Sequence, residues 1–220
     1  MIQFNNIRMT NNRIYIVKDL NFTIADGELF ALVTLDSTFY NHLYNLVKGY
    51  HKTYSGTIEA SPDTDSSIAW FEGAPSWHRE LKTAVLFKTM KKLLYIDDEF
   101  YAKFWTQYGS SFSRNIRMSE LKEWEQLWLA FILFVLKKRQ NYIFHDVLKG
   151  QSHELKTKVL SVFNDLKQEK QSILYLTDDL FLAAEIADRI GLIKDGRLET
   201  IYTKGELNDI GLERAYKTHL

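Results

Sequence analysis

The chain contains no cysteine. That excludes a disulfide framework and thiolate metal sites, and it fits a reducing compartment such as the cytosol. Net charge is also missing, because 28 Lys and Arg balance 28 Asp and Glu. Bulk electrostatics therefore give no reason to expect nucleic acid as a partner. No long apolar run is present. The longest, Leu127 to Leu136 (LWLAFILFVL), falls far short of the roughly 20 residues a membrane span needs, and it reads as a buried helix. The N-terminus, MIQFNNIRMT, has no basic region leading into an apolar one, so no signal peptide is expected. Any membrane association is expected only through a partner. With no low-complexity tract, 220 residues read as one domain, or as a domain with a lobed insertion.

What is present is a sequence of strands and helices. Apolar Ile2, Phe4 and Ile7, an Asn11-Asn12 turn, and alternating Leu20, Phe22 and Ile24 predict antiparallel strands. Leu29 to Leu35 is nearly continuous in apolar residues, as a strand covered on both faces should be. Asp36, Ser37 and Thr38 can cap a helix whose Phe39, Leu43, Leu46 and Val47 repeat at helical spacing and which stops at Gly49.

From Leu81 to Tyr108 the pattern becomes helical, aromatic-rich and highly charged, and a second helix is expected from Met118 to Lys138 after the loop GSSFSRN. Alternation then resumes. NYIFHDV and SILYLTD are buried strands. HELKTKVLSVFNDLKQE is a helix with Leu155, Val159, Val162, Phe163 and Leu166 on one face, DDLFLAAEIADRI is a capped helix, and GLIKDGRLETIY is a hairpin over Asp195-Gly196. Strands alternating with helices predict an α/β fold around a mostly parallel sheet.

In their order and spacing, these segments resemble the nucleotide-binding subunit of ATP-binding cassette (ABC) transporters. VKDLNFTIADGELFALV resembles the approach to the phosphate-binding loop, YSGTI the strand after its helix, and IAWFEGAPSWHRELKTAVLF the Q-loop and entry to the helical subdomain. SILYLTDDLFLAAEIADRIGLIKDGRLE resembles the switch strand, its helix and the closing hairpin. The resemblance implies a P-loop NTPase-like fold with a mostly parallel central sheet, an N-terminal antiparallel β-subdomain and a helical subdomain. It implies one domain over 1–220, with the α/β core and β-subdomain at 1–80 and 139–220 and the helical subdomain at 81–138. Gly27, Gly49, Gly56, Asp188, Arg189 and Gly196 match its fold-bearing positions.

The positions that would touch nucleotide do not match. A P-loop uses glycines to converge amides on phosphate, a lysine for charge and a hydroxyl for magnesium. The resemblance places Thr34, Ser37 and Phe39 at the glycines, Tyr40 at the lysine and Asn41 at the hydroxyl. LDSTFYN therefore reads as a packed structural turn, with Phe39 and Tyr40 adding bulk where phosphates would lie. The adenine-stacking ring falls at Asn11, the Q-loop glutamine at Gly73 beside Glu72, and the D-loop aspartate near His153. Asp146 keeps the magnesium-binding aspartate, but the general-base position is Val147, which cannot accept a proton.

The switch histidine falls at Asp178. Two unit charges at about 4 Å repel by about 4 kcal/mol at an effective dielectric near 20, so Asp178 would oppose a γ-phosphate. The simpler reading is that Asp178 and Asp179 cap the following helix. The signature segment reads MSELKEWEQLWLAF, with Ser119 at the serine and Glu120 and Leu121 in place of glycines, an acidic start ill-suited to phosphate.

Other residues carry less. The six histidines show no metal-ligand spacing, Asp97-Asp98-Glu99 reads as a solvated helix turn, and Trp124 and Trp128 read as packing. The aromatic lobe falls where the family's permease docks, which makes Trp77, Phe87 and Trp105 candidate partner-binding residues.

The expectation is a degenerate ABC subunit with no catalytic residues. It would lie in the cytoplasm against the cell membrane, a structural or regulatory half beneath a permease and beside a second, competent ATPase subunit, with homodimer and heterodimer both open. Two alternatives stand. One is a working transporter ATPase that holds ATP and magnesium by atypical contacts through Asp146. The other is an interaction protein on the same scaffold, outside transport.

Overall fold

A computed structural model describes residues 1–11, 14–50, 54–61, 68–109 and 115–219. Asn12 of the expected turn, His51 and positions 110–114 of the expected loop lie outside the described residues. The chain divides into two compact units. One comprises 1–70, 139–150 and 156–220, and the other 71–138 and 151–155.

The first unit holds two sheets. Strands β1 (Ile2–Asn11), β2 (Ile14–Ile24) and β4 (Tyr54–Ala60) form an antiparallel sheet in the order β2-β1-β4. The larger sheet draws on β3 (Leu29–Val33), β5 (Ile68–Phe71), β6 (Asn141–His145), β7 (Ser172–Thr177), β8 (Arg189–Lys194) and β9 (Arg197–Thr203), in the order β5-β6-β7-β3-β8-β9. β6, β7, β3 and β8 run parallel, and β9 returns antiparallel.

Every residue of β3 and β7 is buried, which is why their sequences are apolar without alternation. Helix α1 (Ser37–Val47) buries Phe39, Tyr40, Leu43 and Leu46 in a core shared with Phe4, Phe22 and Phe30, whose rings stack at 4.5 and 5.1 Å. Helix α5 (His153–Gln168) buries the five apolar residues expected of its inner face. α6 (Leu180–Ile186), α7 (Lys204–Ile210) and α8 (Leu212–His219) complete the helices.

The second unit is helical: α2 (Thr83–Leu93), α3 (Asp98–Phe104) and α4 (Glu123–Leu136). The single helical stretch expected over Leu81 to Tyr108 is broken. Tyr95 turns left-handed at φ 53°, and Asp97 caps α3 by accepting from the Phe100 amide at 2.7 Å, which favours a fresh helix start over continuation. A π-helical turn, Trp105–Gly109, follows α3. The helix expected from Met118 begins only at Glu123, because Met118–Glu120 forms a 3-10 turn.

Candidate functional site

The β3–α1 junction is built by hydrogen bonds to its own chain. Asp36 caps α1, its Oδ1 accepting from the Thr38 amide at 2.9 Å and the Thr38 hydroxyl at 2.7 Å. Thr34 Oγ1 accepts from the Asp36 amide at 3.2 Å. β3 therefore ends at Val33, two residues earlier than its apolar run suggests.

Behind this turn lies Tyr40, buried, with its ring 4.6 Å from that of His145. Its hydroxyl accepts from the Thr34 amide at 3.1 Å and donates to the Thr177 carbonyl, with the Thr34 carbonyl also within 3.3 Å. One phenol thus joins the C-terminal ends of two adjacent parallel strands. Burial raises its pKa well above the ordinary tyrosine value, and the nearby Asp146 and Asp178 carboxylates push it the same way. Phe39 packs in the same core, while Ser37 and Asn41 are exposed.

At the end of β6, Asp146 is left-handed at φ 47°, its amide donating to the Leu176 carbonyl at 2.9 Å. Its Oδ1 is buried with no hydrogen-bond partner among the described residues, and Oδ2 lies 3.8 Å from His145 Nε2. Burial lowers the His145 pKa against the opposing pull of Asp146 and Asp178. Val147 is buried, and the next amide, of Leu148, donates to the Tyr175 hydroxyl at 3.1 Å.

At the end of β7 the two aspartates divide their roles. Asp179 alone caps α6, accepting from the Leu182 amide at 3.0 Å. Asp178 instead pairs with Lys149, at 2.7 and 2.6 Å. The capping expected of both residues is corrected for Asp178, since a cation within reach outweighs a second cap. Lys149 and the His145 ring escaped the sequence reading. The only sequence signal for Lys149 was a basic residue three positions beyond Asp146. Tyr40, Asp146, His145, Asp178 and Lys149 thus converge at the C-terminal ends of β3, β6 and β7, whereas Ser37 and Asn41 are exposed. No group of three or more His, Asp and Glu able to hold a metal ion occurs among the described residues.

In the helical unit, Phe87 and Trp105 are buried edge to face at 4.4 Å and line a cavity of about 430 Å³ with Tyr101, Lys88, Lys91 and Asp98. Trp77 is not among them. It lines a separate cavity of about 740 Å³ with His78, Arg79, Glu80 and Ser119, and its indole N–H is buried without a partner among the described residues. Trp128 donates from Nε1 to the Tyr108 carbonyl at 3.2 Å, the packing role expected of it.

The mostly parallel sheet, the antiparallel β-subdomain and the helical unit together make the fold that of an ATP-binding cassette, and the resemblance to ABC nucleotide-binding subunits holds in both sequence and structure. An ATP-binding subunit of an ABC transporter superposes with a TM-score of 0.79 at 16% identity, over 96% of this chain and 94% of that one. A cassette of another ABC transporter, in its ADP conformation, gives 0.78 at 12% identity over the same shares.

Among sequence relatives, the sn-glycerol-3-phosphate import ATP-binding protein UgpC of Bartonella quintana is 24% identical over 95% of this chain and 64% of that protein. A putative ABC transporter ATP-binding protein of Bacillus thuringiensis is 24% identical over 82% of this chain and 35% of its own length. An uncharacterised ABC transporter ATP-binding protein of Methanocaldococcus jannaschii is 21% identical over 93% and 77%. The chain therefore spans less than two thirds of the first two. No protein-family model matches it.

Proposed function

We propose that this chain is a degenerate cassette subunit of an ABC transporter, a structural or regulatory half that does not hydrolyse ATP on its own and works beside a competent ATPase subunit. It would be one cassette domain with 81–138 as its helical subdomain. The observation that carries this reading is Tyr40, whose ring and hydroxyl take the place at which the resemblance sets a phosphate-binding lysine.

The residues present do not fit a magnesium nucleotide. Asp146 offers one free carboxylate oxygen, Val147 offers none, Asn41 faces outward, and Asp178 is already paired with Lys149. No helix among the described residues is long and apolar enough to cross a membrane. Attachment to the cell membrane would then come from a permease, with the cavities at Phe87 and Trp105 or at Trp77 as docking candidates and a second cassette as neighbour. The cytoplasm is the matching compartment.

Calorimetric titration of the chain, alone and with its co-purified partners, tests this. The expected result is no magnesium-dependent binding at millimolar ATP, together with recovery of a permease or second cassette. One observation favours a second reading, an ATPase with atypical contacts: the buried, unpartnered Oδ1 of Asp146. Micromolar magnesium-ATP binding abolished by Asp146→Asn would establish that reading and end the first.

A further inference from the structure

At β1, β2 and the start of β9, Arg8, Tyr15, Lys18, Asp19 and Arg197 line a cavity of about 380 Å³. That volume is within the range of small-molecule sites. Three cations and one anion leave a local charge of +2. Arg8 Nε is paired with Asp19 Oδ1. Lys18 and Arg197 have no ion-pair partner among the described residues.

Their approach is imposed by the backbone. The Lys18 amide donates to the Gly196 carbonyl at 2.8 Å, and the hairpin tip sits so close to β2 that a Cβ on Gly196 would stand 2.0 Å from the Ile16 carbonyl oxygen. Arg197 follows directly. Lys18 and Arg197 therefore stand on neighbouring backbone segments and line the same concavity. Beside them Tyr15 leaves 54% of its surface exposed, so the face of a ring is accessible at the same concavity.

The geometry points to a site for a phosphate-type anion carried on a planar ring, the chemistry of a nucleoside monophosphate, separate from the β3–α1 junction. A phosphate monoester carries about −1.5 to −2 at neutral pH, which matches the local charge. Arg197 supplies a fork of donors, Lys18 a point charge, and Tyr15 a face for the ring.

The test is calorimetry of the full chain with AMP, inorganic phosphate and adenosine at low salt. AMP should bind saturably, at least tenfold more tightly than either adenosine or inorganic phosphate. The double variant Lys18→Gln, Arg197→Gln should weaken AMP at least tenfold while keeping the wild-type denaturation midpoint, and Tyr15→Ser should weaken AMP but not inorganic phosphate. Asp146→Asn should leave AMP binding unchanged.

The inference is overturned by absence of saturable AMP binding at millimolar concentration, by equal affinities for AMP and inorganic phosphate, or by an indifferent double variant. AMP binding lost in Asp146→Asn instead would place the ligand at the β3–α1 junction, ending this inference and the proposed function together. Failure of AMP to bind anywhere ends the inference alone.

Discussion

The ammonium of Lys149 donates to both carboxylate oxygens of Asp178, at 2.7 and 2.6 Å, joining the loop after β6 to the end of β7. The charge that would repel a γ-phosphate is thereby neutralised from within. Hydrogen bonding to Asp178 is the first reason the Lys149 pKa is raised. A raised lysine stabilises the fold fully below its unfolded value, 10.5, and the contribution is lost as pH rises through the folded value. The difference in urea midpoint between wild type and Lys149→Met should therefore be small and flat from about pH 6 to 9 and shrink above about 10.5.

Tyr40 should matter more, because its hydroxyl is buried. Tyr40→Phe removes the phenol's hydrogen bonds but leaves the Thr34 amide donating to the Thr177 carbonyl at 3.3 Å, so the loss in denaturant unfolding should be about 1 kcal/mol. Tyr40→Lys should destabilise further, since an ammonium replaces a phenol in the core. Under the proposed function it should not create magnesium-ATP binding by calorimetry.

His145 gives an acid-side signature. Its folded pKa is below 6.5, so as pH falls through 6.5 the unfolded state takes up a proton first. Stability should fall with pH from about 6.5 to the folded value and level off beneath it. An NMR titration should place the His145 midpoint below 6.5, and His145→Gln should flatten that part of the stability curve.

Two glycines separate conformational strain from collision. Gly49 and Gly196 both have positive φ, 72° and 76°, but a Cβ on Gly49 meets nothing within 4 Å, whereas on Gly196 it meets the Ile16 carbonyl oxygen at 2.0 Å. Gly49→Ala should cost about 1 kcal/mol in denaturant unfolding. Gly196→Ala should cost clearly more, because backbone must move.

Much of this was legible in sequence because it is local. The apolar runs of β3 and β7, the buried face of α5 and the Asp195-Gly196 turn between β8 and β9 follow from burial and turn chemistry within a few residues. What escaped was decided by distant partners. Thr177 lies 137 residues from the Tyr40 it accepts from, and Asp178 lies 29 from Lys149. No pattern around Asp178 distinguishes a helix cap from half of an ion pair, and Asp179 stood ready to cap. The break at Tyr95 was hidden for a different reason: Leu93, Leu94, Tyr95 and Ile96 continue the apolar character of α2, and only the cap at Asp97 marks the restart.

Tyr40 also bears on how such a joint can be governed. Strand ends held by a bound small molecule loosen or tighten with its concentration, by mass action. Here the Thr34 amide already donates to the Thr177 carbonyl at 3.3 Å, and the phenol that braces the pair is a side chain of the same polypeptide, present in one copy from the moment of synthesis. Under the proposed function, a brace that cannot be diluted or depleted makes this end of the sheet a fixed fitting rather than a gauge of the cell's energy state.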